Sequence, residues 1–195
     1  MIYLIIVVLI LVFIYLFLIY IRKTMWDAVH RNLLDLEDHV DGKVFRRSFA
    51  ARPVFHGKIN GNELTINFST DKVDKQRYTY IDISLSGASK FNCTLTSHSW
   101  LKKQNAGEIN DYISVRNTEN IEYILRPASD PGVKKLSKKT ALVRLLDDFQ
   151  GLAYLFIGKT GILCELETTA IVKATEVETL KKRLLLLDQL VGAAG

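Results

Sequence analysis

The feature that most constrains this chain is an uninterrupted apolar run over residues 2–21. A helix of this length spans about 30 Å, which is the thickness of one bilayer core. A secretory signal peptide would show a basic start, a shorter apolar stretch and a small-residue cleavage site, and the run has none of these. The sequence therefore predicts a retained transmembrane anchor over residues 1–23, a juxtamembrane helix and linker over residues 24–50, and a folded domain over residues 51–195.

The basic residues beside the apolar run predict its orientation. Arg22 and Lys23 follow the run at once and Arg31 comes within the next ten residues, whereas no Lys or Arg precedes it. Basic residues that flank a span are retained on the cytoplasmic side. We therefore expect a protein of the inner (cytoplasmic) membrane, with its N-terminus outside and residues 22–195 in the cytoplasm.

Beyond the run, the chain has the composition of an ordinary soluble domain. Residues 22–195 carry all 26 basic and all 21 acidic residues, for a net charge of +5. This excess is modest and no aromatic residues alternate with the basic ones, so we expect no nucleic-acid partner. Cys93 and Cys164 occupy inward positions of strand-like patterns, which predicts two reduced core residues; one disulfide in an exported domain is the alternative.

An amphipathic helix is predicted to continue directly from the apolar run. Its apolar positions recur at spacings of three and four, at Trp26, Val29, Leu33, Leu36 and Val40. About two heptads are too few to indicate a coiled coil. The stripe packs on the chain's own domain or a neighbouring chain, or else mediates self-association, and its first four residues are one candidate partner surface.

From residue 53 the apolar period changes to two, which is typical of strands. An Asn60-Gly61 pair lies between two of them, and Asn-Gly is the preferred type I′ hairpin turn. Closing the hairpin there pairs Phe55 with Ile66 and places apolar side chains on the same face. A second hairpin is predicted across residues 86–88, pairing strand 79–85 with strand 91–95.

The second half of the chain predicts helices and one more hairpin. Residues 126–139 are expected to form a loop that enters a helix with the buried stripe Leu142, Leu145, Leu146 and Phe149. A hairpin then joins strands 152–157 and 162–168, and a capping box of Thr175 and Glu178 begins a terminal helix. Hairpins followed by helices predict an α+β class, with a transmembrane helix before an antiparallel meander domain and C-terminal helices.

The sequence motifs that resemble phosphate-binding or metal sites do not support an enzyme. Gly158-Lys159-Thr160 imitates the end of a phosphate-binding loop, but its first glycine is replaced by Ala153 and a strand follows where a helix is required. The four histidines and two cysteines show no metal-ligand spacing. We therefore expect no catalytic, cofactor or metal site and no small-molecule substrate, while a dispersed catalytic site remains a further alternative.

The final hairpin provides a second candidate partner surface. One of its faces holds Ala153, Leu155, Cys164 and Leu166, and the other holds Leu152, Tyr154, Phe156 and Leu163. An antiparallel sheet face in contact with water should be polar. We therefore expect either one of the domain's own helices or a protein partner to cover the second face.

A basic cluster offers a different hypothesis, contact with anionic lipid. The residues proposed for it are Arg22, Lys23, Arg46, Arg47, Lys134, Lys135, Lys138 and Lys139. The alternative for the four lysines at 134–139 is that they lie in solvent at the start of a helix and bind nothing, because a cluster of that size is common on protein surfaces.

The order of these features resembles membrane-anchored bacterial proteins of unknown function. The resemblance rests on the apolar helix, on the hairpin with Gly57 and Gly61, on the segment Gly-Glu-Ile-Asn-Asp-Tyr-Ile-Ser-Val at residues 107–115, and on the terminal Leu-rich helix. It implies the same fold and adds no site residues. The leading hypothesis is therefore a non-enzymatic single-pass accessory or scaffold protein that docks on a larger membrane complex, and the alternative is a sensor of anionic lipid or an acidic ligand.

Overall fold

The computed structural model describes residues 2–49, 51–73, 75–104 and 110–194. Its helices are α1 (Ile2–Glu37), α2 (His98–Lys103), α3 (Pro131–Ser137), α4 (Thr140–Asp148), α5 (Ile171–Ala174) and α6 (Val177–Ala194). Its strands are β1 (Asp41–Phe45), β2 (Val54–Ile59), β3 (Asn62–Val73), β4 (Gln76–Ser86), β5 (Cys93–Ser97), β6 (Ile113–Arg116), β7 (Glu122–Arg126), β8 (Leu152–Gly158) and β9 (Gly161–Thr168).

Within the described residues, the nine strands form one sheet in the order β1-β2-β3-β4-β9-β8-β5-β7-β6. Every neighbouring pair is antiparallel. Helices pack on the sheet and two of them, α5 and α6, follow its last strand, so the predicted α+β class with an N-terminal apolar helix is confirmed. The segment 107–115 ends in β6, and its residues 107–109 lie outside the described part of the chain.

Helix α1 combines the predicted anchor and the juxtamembrane helix in one continuous element. One helix among the described residues is long and apolar enough to cross a membrane, and none of its most apolar part is buried inside the domain. The second half of α1 is different: Trp26, Val29, Leu33 and Leu36 are buried in the core with the sheet. These four residues therefore pack on the chain's own domain, which corrects their assignment to an open partner surface.

The first predicted hairpin has the expected turn and register. Asn60 and Gly61 adopt φ values of 49° and 86°, and Phe55 pairs with Ile66. Positive φ at both central positions defines the type I′ turn, and it matches the twist of the two strands. This hairpin, β2–β3, is confirmed.

The second predicted hairpin is wrong. Strand β4 pairs with β9 on its free edge, for example Ile83 with Cys164, and β5 pairs with β7 and β8. Alternation of apolar residues identifies the inward face of each strand but not its neighbour. The chain after Ser86 passes the β8–β9 hairpin before it forms β5.

The last hairpin is confirmed at its turn and corrected at its far end. Ile157 pairs with Ile162 and Leu155 with Cys164, as predicted. Further from the turn, a register shift pairs Leu152 with Leu166. The prediction had paired Ala153 with Leu166. Because a β-bulge places two residues opposite one, Leu152 joins the core and is 2% exposed.

Helices α4 and α6 begin near their predicted positions, whereas α3 forms inside the predicted loop 126–139, and the capping box is not formed. The stripe Leu142, Leu145, Leu146 and Phe149 of α4 is buried, as is the stripe of α6 at Leu180, Leu184 and Leu187. The Thr175 hydroxyl lies 2.9 Å from the Ile171 carbonyl and 3.0 Å from the Val172 carbonyl, to which it can donate. Asn32 Nδ2 donates to the Val172 carbonyl and to Thr175 Oγ1, so these residues tie α5 to α1.

Candidate functional site

The anchor end of the domain, where α1 enters it, is joined to β3 by aromatic and basic side chains. The Trp26 and Phe68 rings lie 5.4 Å apart between centroids. The Arg52 guanidinium lies 5.7 Å above the centroid of the Trp26 ring. Arg52 also donates hydrogen bonds of 2.8 Å to the Phe68 carbonyl and to Thr70 Oγ1. Together these contacts fix the domain to the helix within two turns of the apolar run.

Arg46, a predicted lipid contact, forms its hydrogen bonds within the domain. Its Nη1 pairs with Asp27 at 2.5 Å, its Nε donates to the Ala51 carbonyl at 2.9 Å, and Nη2 donates to the Phe49 carbonyl. The Arg46 side chain is 11% exposed. These bonds hold the β1–β2 loop against α1, which corrects the prediction that Arg46 faces lipid.

Other basic residues at the anchor end are open to solvent. Arg22, Lys23 and Arg47 are exposed. Burial lowers the pKa of Arg52, and the charges of Arg22 and Arg77 lower it further. Charges act in this way only over short distances, so the turn end of the β3–β4 hairpin, where Arg77 lies, is on the same side of the domain as the start of the juxtamembrane helix.

The β3–β4 hairpin adds basic residues that the sequence analysis missed. Lys72 and Arg77 pair across the hairpin, and with Lys75 all three are exposed at its end. The detectable signal was three basic residues within six positions that follow a strand. They join Arg22 and Lys23 at one end of the domain.

The lysine cluster lies elsewhere. Lys134 and Lys135 are exposed on α3, which contacts β6 and β7 at the last edge of the strand order, and Lys138 and Lys139 follow. Arg47 follows β1, at the first edge. The four lysines and the arginines near the anchor therefore belong to opposite edges of the sheet and do not form one surface.

The outer face of the sheet, opposite the main core, is partly covered by the chain itself. Helix α2 lies over β5, β7 and β8, and its Trp100 ring is 5.6 Å from Tyr154. Ser97 caps this helix by accepting a hydrogen bond from the Trp100 backbone N–H. Phe156 is half-buried, and its cross-strand partner Leu163 is 36% exposed. Of the predicted hairpin surface, Leu152 is buried, Tyr154 is half-buried beside Trp100, and Phe156 and Leu163 form the part that no ring of α2 contacts in the described residues.

Two carboxylates lie side by side on this outer face. Asp82 of β4 pairs directly with Glu165 of β9. Burial raises the pKa of Glu165, and the charge of Asp82 raises it further. Burial also raises the pKa of Asp82, while a hydrogen bond from Ser69 lowers it. Like charges directly opposite one another destabilise a sheet.

Glu165→Gln is therefore expected to stabilise the full chain by about 0.5 kcal/mol at pH 7, allowing for the solvent around this half-exposed group. A raised pKa in the folded state gives stability that is complete below the unfolded value of about 4.3 and is lost as pH rises through the folded value. The advantage of the variant should thus disappear near pH 4. Urea unfolding of both proteins across this range measures it.

Glu122→Gln is the matched control for this prediction. A hydrogen bond from Ser114 lowers the pKa of Glu122, so its contribution has the opposite sign and the variant should lose stability at pH 7. Equal effects of the two substitutions would show that the Asp82–Glu165 contact does not determine the result.

The two cysteines lie in the core of the domain. Cys93 and Cys164 are buried and free. Burial raises the pKa of the Cys93 thiol to about 12, and burial also raises the pKa of the Cys164 thiol. Such thiols are poor nucleophiles at neutral pH. Across the described ranges, no group of three or more His, Cys, Asp or Glu residues is arranged to hold a metal ion.

Comparison with known proteins adds information on the fold alone. No family model and no curated protein matches the sequence. Among solved structures, the crystal structure of the mycobacterial trehalose monomycolate transport factor A, TtfA, is similar, with a TM-score of 0.51 and 12% sequence identity. The similarity covers 85% of this chain and 93% of that one. The two proteins thus share an arrangement of helix and sheet over most of their lengths.

Proposed function

We propose that this chain is a non-enzymatic, single-pass membrane accessory protein whose domain docks on a larger membrane protein complex. The observation that carries the proposal is α1, which is apolar and exposed over its first part and buried in the domain core over its second. A helix of this kind keeps the domain beside the bilayer surface, because no linker separates the two. Such placement is useful to a protein that acts on a neighbour in the same membrane.

The similar solved structure indicates what kind of complex to test. Its protein is named a transport factor for trehalose monomycolate. We therefore extend the proposal to a membrane transport complex. The open pair Phe156 and Leu163 is the proposed contact, since clustered apolar side chains at the centre of an interface supply most of its binding energy.

The docking proposal is tested by purifying the full chain from native membranes in a mild detergent. A stoichiometric integral membrane partner is expected with the wild-type protein and is expected to be lost with Phe156→Ser/Leu163→Ser. Leu185→Ser is the control, because Leu185 is 56% exposed on α6 and belongs to a different surface. A partner that all three proteins retain, or the lack of any membrane partner, would contradict the proposal.

We further propose that the domain is cytoplasmic, as the basic residues after the apolar run indicate. Lys159 is exposed in the turn between β8 and β9. A cysteine at this position, Lys159→Cys, should resist a membrane-impermeant thiol reagent in intact cells and react after permeabilisation. The two native cysteines give little background because both are buried. Equal labelling in intact and permeabilised cells would place the domain outside.

A second candidate function is contact with an anionic lipid surface at the anchor end. It is favoured by the exposed basic residues Arg22, Lys23, Lys72, Lys75 and Arg77, each worth about 1 kcal/mol near such a surface. In nanodiscs, phosphatidylglycerol should slow backbone hydrogen exchange at residues 69–79 relative to phosphatidylcholine.

Two double variants separate the anchor end from the lysine cluster of α3. Lys72→Gln/Lys75→Gln should abolish the slowing of exchange by phosphatidylglycerol. Lys134→Gln/Lys135→Gln removes the same charge from α3, beside the β6 and β7 edge of the sheet, and should leave the slowing intact. The reverse pattern would assign lipid contact to the cluster on α3.

A further inference from the structure

We infer that the cavity between the end of β9, α5 and α6 binds a phosphate group, carried by a small polar molecule or by a lipid headgroup, through the guanidinium of Arg183. The cavity has a volume of about 400 Å³. Its walls include Thr168, Lys173, Thr179 and Arg183. The inference is independent of the proposed docking function.

Arg183 is the unusual group in this cavity. Only 8% of the residue is exposed. Its Nη1 donates to the Ala174 carbonyl at 3.1 Å, whereas its Nε is buried and has no hydrogen-bond partner. None of the ion pairs found among the described residues includes Arg183. An arginine keeps its charge in proteins, so this charge lacks a counter-ion.

The acidic residue of the cavity does not supply that counter-ion. Glu167 lines the same space, but both of its carboxylate oxygens lie 2.7 Å from Lys103 Nζ. Burial of an uncompensated charge is costly, and an anion that enters from solvent removes the cost. The site is thus prepared for a ligand that carries its own negative charge.

The other walls indicate the chemical class of that ligand. The hydroxyl groups of Thr168, Thr169 and Thr179 and the ammonium group of Lys173 can donate hydrogen bonds to oxygen atoms. Guanidinium groups match the geometry of phosphate with two parallel hydrogen bonds. Since sites for small molecules measure about 300–1,000 Å³, the cavity is large enough for a phosphate with an attached polar group.

Two sources of phosphate differ in their access to the cavity. Helix α5, on its wall, is hydrogen-bonded to Asn32 of α1. Asn32 comes 11 residues after the end of the apolar run, which is about 16 Å along the helix. The cavity is therefore open to a dissolved phosphate compound, whereas a headgroup, whose layer extends about 5–8 Å beyond the hydrocarbon core, would have to rise above the bilayer surface to reach it.

The test measures thermal unfolding of the full chain in phosphatidylcholine nanodiscs at constant ionic strength. One arm adds inorganic phosphate or glycerol 3-phosphate, and the other replaces part of the lipid with phosphatidylglycerol. At about a hundred-fold excess over Kd, a ligand of the folded state should raise Tm by about 5–10 °C. Isothermal titration with the two soluble probes gives the affinity directly.

Variants assign the effect to the cavity. Arg183→Met should abolish the ligand-dependent rise in Tm, and Lys173→Met, at the exposed rim, should weaken binding by about five-fold. Lys182→Met is the control, because it removes the same charge one position away, where Lys182 pairs with Asp148. If Arg183→Met does not fold, the ligand-dependent rise in Tm is compared between Lys173→Met and Lys182→Met.

Each outcome decides the inference. A rise with the soluble probes that depends on these residues supports a dissolved ligand, and a rise only with phosphatidylglycerol supports a headgroup. No rise in the wild-type protein in either arm overturns the inference. An equal rise in wild-type, Arg183→Met and Lys173→Met also overturns it, because the phosphate would then act elsewhere.

Discussion

Leu33→Ala in the full chain is expected to lower the free energy of unfolding of the domain by about 2–5 kcal/mol. Leu33 is completely buried between α1 and the rest of the core. Its truncation removes apolar contact and leaves a cavity that the surrounding helices only partly fill. Urea unfolding in detergent micelles, followed by near-ultraviolet circular dichroism, measures the change.

Leu34→Ala is the control for this prediction. Leu34 is the next residue of the same helix but is 42% exposed, so its replacement should change stability by no more than about 0.5 kcal/mol. Similar small effects of both substitutions would show that the stripe of α1 does not pack on the domain. In that case the stripe would again be a candidate surface for a second protein.

Gly151→Ala is expected to be the more damaging of two glycine substitutions, with a loss of about 3 kcal/mol or more. Gly151 has a φ of 79°, and a Cβ atom there would lie 2.2 Å from the backbone oxygen of Glu167. The Gly151 carbonyl also accepts a 2.8 Å hydrogen bond from the Glu167 N–H. The backbone cannot move away without breaking the junction between α4, β8 and β9.

Gly61→Ala separates the strain of positive φ from the steric clash. Gly61 has a φ of 86°, but no atom lies within 4 Å of the position of its Cβ. We expect a loss of about 1 kcal/mol, the cost of a left-handed conformation for an L-residue. Equal losses at Gly61 and Gly151 in thermal unfolding would contradict the predicted contact with Glu167.

The elements predicted correctly are those that neighbouring residues determine. The Asn60-Gly61 turn sets the register of β2 and β3 by itself, and the spacing of Leu142, Leu145 and Leu146 defines a helix face without other information. The partner of β4 is different, because it depends on which distant strand reaches its free edge first. A local pattern contains no information about that choice, and the β4–β5 hairpin was therefore wrong.

The candidate sites were harder to predict because they depend on contacts between distant residues. The assignment of Arg46 to lipid followed from its charge and place in the sequence, whereas its pairing with Asp27 requires the fold. Arg183 gave a usable signal: it is three residues after Leu180 and one before Leu184, on the buried stripe of α6. A charged residue at such a position indicates a buried polar site.

The lack of any break in α1 has a mechanical consequence. Transmembrane helices tilt by about 20° on average, and the tilt changes with bilayer thickness and with neighbouring helices. Because the same helix enters the domain core without a hinge, a change in tilt turns the whole domain. At about 40 Å from the bilayer centre, a 20° change displaces the domain by about 14 Å. A rearrangement around a membrane-spanning α1 would thus be transmitted to the whole domain as a movement of this size.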